Sequence, residues 1–338
     1  MGLERKTSRS PSVLVVGAGA WGTAVANVFS KGGCVSYLWD KNPELVSVMR
    51  RRRFHPTFRP DIYLSRTVYP VGSLQGLEVD AVVFVAPFQS LREAALHVSE
   101  EGVYSNFIVC ASKGIEQESL HLAHEIFAES FGDRPFAQIS GPSFASEVMA
   151  GSPTAITVGT ESEELSFFLR KYLHTKFFRL YTTTDVTGVE IGGALKNIIA
   201  IAAGIADGLE LGSSARSALV VRGLGEMANY GENRGAKKST FMGLSGLGDL
   251  ILTCSDDKSR NRQFGLSLAS AGKFDERLSG TGRLVEGYHT ARALDKLDEI
   301  NFENFPVISE VISVLKNIRT PKEALDHLLS RGPKPEIF

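Results

Sequence analysis

The sequence predicts an α/β domain built on a parallel sheet, followed by an all-α domain. Three observations carry this. From Ser12 to about Asp185, short apolar runs alternate with helical ones, as in a doubly wound sheet. A glycine-punctuated turn lies between the first strand and the first helix. Beyond Asp185 strand signals almost vanish and helical ones take over. The expected division is a flexible N-terminus over 1–11, a sheet domain over 12–185 and a helical substrate domain over 186–338. A chain of 338 residues suffices for two cores.

The first strand is expected over Ser12 to Val16. Gly17-Ala18-Gly19-Ala20-Trp21-Gly22 follows it and leads into a helix through Phe29. Strand, G-x-G-x-x-G and helix in that order are the fingerprint of a Rossmann-type dinucleotide-binding domain. Gly17 permits the tight turn, Gly19 lets a pyrophosphate approach the backbone, and Gly22 lets the helix pack on the strand. A second strand, Val35 to Trp39, ends in Asp40. An acid there holds the ribose hydroxyls of NAD and repels a 2′-phosphate. Lys41 softens that repulsion. The cofactor is therefore NAD or NADP, with Asp40 favouring NAD.

Further strands are expected at Asp80 to Ala86, Asn106 to Ala111, the stretch ending in Ile139-Ser140, Thr154 to Val158 and Phe177 to Tyr181. Ligands of such sheets lie beyond the carboxyl ends of the strands. Lys113 and the Gly141-Pro142-Ser143 turn fall there, and so does Phe88, which reads equally as a nicotinamide neighbour or as core.

The helical part opens with Gly188 to Leu209, apolar on every face and therefore buried. Lys196 sits at its centre. Lysine is almost never fully buried unless paired. The plain reading is a lysine that snorkels or pairs with a carboxylate; the chemical reading is a proton relay whose pKa burial has lowered. A helical segment from Ser214 to Tyr230 follows. Gly243 to Leu250 then delivers Asp249 among apolar neighbours. Ser259 is an N-cap, with Arg260 and Asn261 in the first turn behind it. Positive side chains oppose the macrodipole there and make sense beside an anion. A phosphate would take the free N–H groups, the guanidinium fork and the Asn amide. Another helix starts at Leu284-Val285-Glu286-Gly287-Tyr288, and Val307 to Asn317 and Pro321 to Ser330 are helical.

Composition narrows the function classes. The net charge is -1, so nothing draws the whole molecule to nucleic acid or to a membrane. The run Arg50 to Arg53 reads as a solvated helix end. Three cysteines, Cys34, Cys110 and Cys254, read as free thiols of a reducing compartment rather than a disulfide framework or a metal cage. No window reaches the roughly 18 apolar residues of a membrane span, and Met1 to Ser10 lacks an apolar signal core. A cytoplasmic protein without stable membrane insertion is expected. The partner is a small molecule; no metal is expected, and a homodimer stays open.

With these blocks in hand, the sequence resembles the NAD(P)-dependent glycerol-3-phosphate dehydrogenases over residues 12 to 330. The resemblance rests on the Gly17 to Gly22 turn, Ser112-Lys113-Gly114-Ile115-Glu116, Gly141-Pro142-Ser143-Phe144-Ala145 and Ala194-Leu195-Lys196-Asn197. It continues in Gly246-Leu247-Gly248-Asp249-Leu250, Ser259-Arg260-Asn261 and Val285-Glu286-Gly287. It implies interconversion of sn-glycerol 3-phosphate and dihydroxyacetone phosphate, feeding glycerophospholipid synthesis, with Lys196 as proton acceptor. It further implies Lys113, Gly141, Ser143, Lys196, Asp249, Ser259, Arg260 and Asn261 around the phosphorylated substrate. Ala20, Trp21, Lys41, Lys113, Ala145, Arg260, Leu284 and Glu286 are implied around the cofactor, beside the Gly17, Gly19, Gly22 and Asp40 read from the fingerprint. The chain departs from the family at Ser214, where Asn is usual, and at Phe54 to Tyr63, which lacks the usual Asn and Tyr-Leu-Pro pattern. Two rivals remain: a similar dehydrogenase of sugar acids or 3-hydroxyacids, and a dinucleotide-binding redox sensor. The first has no need of the Ser259-Arg260-Asn261 helix start, and the second no use for a buried lysine.

Overall fold

A computed structural model describes residues 10–276 and 284–332. The stretch expected to be flexible, 1–11, lies outside them except for its last two residues. The sheet has eight strands: β1 (Ser12–Val16), β2 (Val35–Trp39), β3 (Val68–Val71), β4 (Glu78–Phe84), β5 (Tyr104–Cys110), β6 (Phe136–Ser140), β7 (Thr154–Gly159) and β8 (Phe178–Thr183). Their order is 3-2-1-4-5-6-7-8. Neighbours are parallel except β6 and β7. The first six follow the dinucleotide-binding order, with the topological switch at β1. Inner strands of a parallel sheet are covered on both faces and read as continuous apolar runs. In β1, Val13 and Val15 enter one core, and Leu14 and Val16 enter the other. The sequence reading passed over β3, whose Val-Tyr-Pro-Val is short and holds a proline; at the sheet edge Pro70 is tolerated.

The arginine run is only partly the solvated helix end it was expected to be. Arg51 and Arg52 are exposed. Arg53 donates to the carbonyls of Val68 and Ser65, and Arg50 to that of Pro70. These two tie the helix Pro43–Arg52 to β3 and its approach.

From residue 186 on the described elements are helical. The central helix Val186–Gly208 is buried without a break from Gly188 to Ala206. It crosses the helix Arg260–Ala271 in direct backbone contact. A Cβ on Gly204 would sit 2.0 Å from the Arg262 carbonyl oxygen, and one on Gly265 2.1 Å from that of Ile201. This helix corrects one expectation: by length and mean hydropathy, 1.5, it does suffice to cross a membrane. Of its apolar 18-residue window 94 % is buried inside the protein, as in the core helix of a globular fold. Its N-cap Asp185 accepts from Gly188 N–H at 3.0 Å and reaches across to Lys237 N–H and the Thr240 hydroxyl. Glu226, on the helix Gly212–Asn233, similarly accepts the N–H groups of Val307 and Ile308 at the start of Pro306–Leu315. Burial pushes its carboxyl up to about 7.

Candidate active site

The carboxyl ends of β1, β2, β5 and β6 supply one side of the site. Gly17 has φ +108°, and a Cβ there would lie 2.8 Å from the Val85 carbonyl oxygen. A Cβ on Gly22 would lie 1.8 Å from the Gly17 carbonyl oxygen, so the helix can touch the turn only because residue 22 is glycine. Gly19, by contrast, faces open space. It precedes the helix Ala20–Lys31, whose first N–H groups have no side-chain cap. An anion at that end would meet unpaired donors. Asp40 lies against the turn, one oxygen accepting Ala18 N–H at 2.8 Å and the other Asn42 N–H at 2.9 Å. Lys41 beside it is exposed. Trp21 and Ala145 are half-buried against the core under the turn.

The other side comes from the helices. Lys196 is 6 % exposed and Asp249 2 %. The Lys196 Nζ donates to Asp249 Oδ1 at 2.6 Å and to Thr253 Oγ1 at 2.8 Å. Thr253, one turn along the helix Asp249–Ser255, in turn donates to the Asp249 carbonyl. Lys113 Nζ reaches the second carboxylate oxygen of Asp249 at 2.7 Å and the Gly141 carbonyl at 3.3 Å. One carboxylate thus lies between two lysines. Burial lowers the Lys196 pKa to about 8, against the pull of Asp249 and with the push of Lys113. Burial works to raise the Asp249 carboxyl, but the two ammonium groups hold it below its ordinary range. Lys113 can thread to this point because Gly193 of the central helix has no side chain; a Cβ there would be 3.2 Å from its Cγ. Gly141 has φ +138° and packs on Ile156, and its carbonyl also accepts the Ser143 hydroxyl at 3.0 Å.

The helix start at Ser259 divides its side chains. Ser259 is the N-cap, accepting from Arg262 N–H. Arg262 is buried and paired with Asp207 and Asp257. Arg260 is exposed and makes no ion pair among the described residues, so its guanidinium is available to a ligand. Asn261 donates one amide N–H to Asn197 Oδ1 at 2.8 Å and accepts Gly287 N–H at 2.9 Å; these bonds leave its second amide N–H uncommitted. Asn197 therefore engages Asn261 and does not orient Lys196; Asp249 and Thr253 do. The Asn197–Asn261–Gly287 chain locks the start of the helix Glu286–Leu294 against the central helix.

That lock holds Glu286 over the crevice. Its Oε1 accepts Phe88 N–H at 3.1 Å, while Oε2 is buried without a partner among the described residues. Burial pushes this carboxyl up to about 7. Leu284 beside it is half-buried. Phe88 itself is core, 2 % exposed. The open Gly19 cradle, the uncapped helix end and an orphaned carboxylate oxygen able to take an amide N–H all fit a nicotinamide dinucleotide. Sequence reasoning missed Thr253, which carried a signal, since positions four apart share a helix face.

Models of the NAD-dependent glycerol-3-phosphate dehydrogenase N-terminus and C-terminus match residues 12–166 and 185–326. A glycerol-3-phosphate dehydrogenase (NAD(P)+) of Thioalkalivibrio sulfidiphilus is 40 % identical over 97 % of this chain and 99 % of its own. One of Methylobacillus flagellatus is 41 % identical over 96 % and 99 %. The crystal structure of a glycerol-3-phosphate dehydrogenase from Coxiella burnetii superposes with a TM-score of 0.88 at 35 % identity, covering 95 % of this chain and 99 % of that one.

Proposed function

The chain belongs to the NAD-dependent glycerol-3-phosphate dehydrogenase family, and we propose that its Lys196–Asp249–Lys113 cluster moves the proton of that reaction. The reaction is the interconversion of sn-glycerol 3-phosphate and dihydroxyacetone phosphate with NAD or NADP. The observation that carries the reading is a lysine on a buried helix with a pKa near 8 and a carboxylate at 2.6 Å. Gly17–Gly22, Asp40 and Glu286 would hold the nicotinamide cofactor, which when bound would supply or take the hydride at C2.

An ammonium has three N–H bonds. Lys196 commits two, to Asp249 and Thr253. The third is left for the C2 oxygen of the substrate. In ketone reduction Lys196 gives that proton as the oxygen gains charge; in alcohol oxidation the neutral amine takes it. Lys113 is more exposed than Lys196, its side chain 19 % against 8 %. It stands nearer solvent, and we assign it to substrate binding. Two ammonium groups and one carboxylate leave the cluster with a net positive charge, suited to a phosphorylated substrate. Arg260 adds a free fork for the phosphate, with Ser143, Gly141 and Ser259 bounding the same crevice. Fixing the phosphate holds C2 in a reactive pose. The product is the backbone of glycerophospholipids, and the three buried, free thiols suit a cytoplasmic setting. The domain boundary we adopt lies at residues 185/186. The test is oxidation of NADH and NADPH with dihydroxyacetone phosphate, and with unphosphorylated dihydroxyacetone alongside. Turnover of the phosphorylated ketone supports the reading; equal rates on both ketones, or none on either, overturn it.

A further inference from the structure

Two stretches assigned to the substrate come from different halves of the chain. One, Gly141 to Ala145, follows β6 and runs into the short helix Ala145–Ala150. The other, Ser259 and Arg260, starts the helix Arg260–Ala271. Each is set firmly in its own half. Val148 and Met149 are buried in the sheet core, the Asn27 amide meets the Met149 sulfur at 3.1 Å, and Arg59 donates to the Ser146 carbonyl. In the helical half Ser259, Asn261 and Arg262 are buried. Asp256 shapes the turn before them. Its carboxylate accepts Lys258 N–H at 2.8 Å, and its carbonyl accepts Ser259 N–H at 3.1 Å.

That turn carries Lys258 across to the other stretch. Its Nζ donates to Glu147 Oε1 at 2.7 Å and lies over the Phe144 ring, 5.3 Å from the centroid. Phe144 directly follows Ser143, and Lys258 directly precedes Ser259. Other ion pairs also join the two halves: Lys113–Asp249 in the site, His124–Glu190 and Lys296–Glu118. Among the described residues, only Lys258–Glu147 joins the stretch with Gly141 and Ser143 to the stretch with Ser259 and Arg260.

We propose that Lys258 is a positioning residue for the substrate phosphate: clipped to Glu147 and Phe144, it sets the spacing of Ser143 and Arg260 on either side of the phosphate. Its ammonium is spent on a carboxylate and a ring face, so it acts through its neighbours and is not itself a phosphate ligand. Asp256 competes for it only at longer range, 3.9 Å. The clip is half open to water, its side chains 52 % and 40 % exposed. Its contribution is therefore small and falls on affinity for the phosphorylated substrate. This rests on the phosphate seat proposed above.

The experiment is a double-mutant cycle on the full chain: wild type, Lys258→Met, Glu147→Ala and the double variant. Methionine keeps a long apolar stem against the Phe144 ring and removes the charge. KM is measured for dihydroxyacetone phosphate, dihydroxyacetone and NADH, with Tm to establish folding. We expect each single change to raise KM for dihydroxyacetone phosphate about two- to fivefold. The double variant should be no worse than either single. KM for dihydroxyacetone and for NADH should stay within about twofold of wild type. If Lys258→Met loses affinity while Glu147→Ala binds the phosphorylated ketone as well as wild type or better, Lys258 touches the phosphate directly and the clip is overturned. Additive losses, no loss in either single, or an equal rise in KM for dihydroxyacetone or NADH overturn it as well. A wild type that does not prefer the phosphorylated ketone overturns the phosphate seat itself. Should Glu147→Ala not fold, Glu147→Gln takes its place in the cycle.

Discussion

Replacing Asp249 by Asn removes the negative charge between Lys196 and Lys113 while keeping its shape. In the wild type that carboxylate lies 2.6 Å from one ammonium and 2.7 Å from the other. The Lys196 pKa near 8 already balances burial against this attraction. An opposite charge at such range shifts a pKa by about 1–3 units, so its loss should bring Lys196 to about 6. At pH 7 the ammonium fraction would then drop from about nine-tenths to about one-tenth. Ketone reduction uses the ammonium, so its rate falls as pH rises through the Lys196 pKa. Alcohol oxidation uses the amine and rises through it. The assay is kcat for dihydroxyacetone phosphate reduction across pH 5.5 to 9.5, with far-UV circular dichroism to establish folding. In Asp249→Asn the alkaline limb should move from near 8 to near 6, with a loss of about tenfold at pH 7 from protonation alone. Loss of orientation adds to it. A limb that stays near 8 in a folded variant would refute the electrostatic role of Asp249.

Arg260 and Arg262 are two residues apart, yet they should fail differently. Arg260→Ala should weaken dihydroxyacetone phosphate by about 1.5–3 kcal/mol and leave unphosphorylated dihydroxyacetone unchanged, as read from kcat/KM on each. Arg262→Ala should lower Tm instead, because it strips from Asp207 on the central helix the more buried of its two arginine partners, Arg216 being the other. Asp40→Ala should shift preference towards NADPH by removing repulsion of the 2′-phosphate. It also frees the Ala18 N–H, so affinity for both cofactors should drop by about two- to tenfold. The ratio of the two kcat/KM values therefore reports on Asp40, and a ratio unchanged from wild type removes it from the ribose site.

The sheet half was legible because its signals are local. β1 is a continuous apolar run, the glycine turn has fixed spacing, and Asp40 ends β2 at the expected distance. β3 was not read, since four residues with a proline carry too little pattern. In the helical half, Lys196 was conspicuous for being charged in an apolar helix. Its partner Asp249 stood out locally as a carboxylate among apolar neighbours, and the resemblance put it around the substrate. The contact joins residues 53 apart, and no local pattern encodes that. Asn261 was read as an anion ligand from its place in a helix first turn; its bonds to Asn197 and Gly287, across 64 and 26 residues, carried no local signal. Glu226 capping the helix at Val307 joins residues 81 apart and was equally invisible.

Whether Lys196 carries the proton is decided by hydride transfer in a single turnover. Enzyme with bound NADH is mixed with dihydroxyacetone phosphate in a stopped-flow instrument, and the loss of NADH absorbance is followed for the wild type, Lys196→Ala, Lys196→Arg and Lys113→Ala. Lys196→Ala should bind cofactor normally and transfer hydride about 10² to 10⁴ times more slowly. Lys196→Arg should not recover, because guanidinium stays protonated in this range. Lys113→Ala should lose mainly substrate affinity. A folded Lys196→Ala variant that binds NADH and transfers hydride at near the wild-type rate would contradict the assignment.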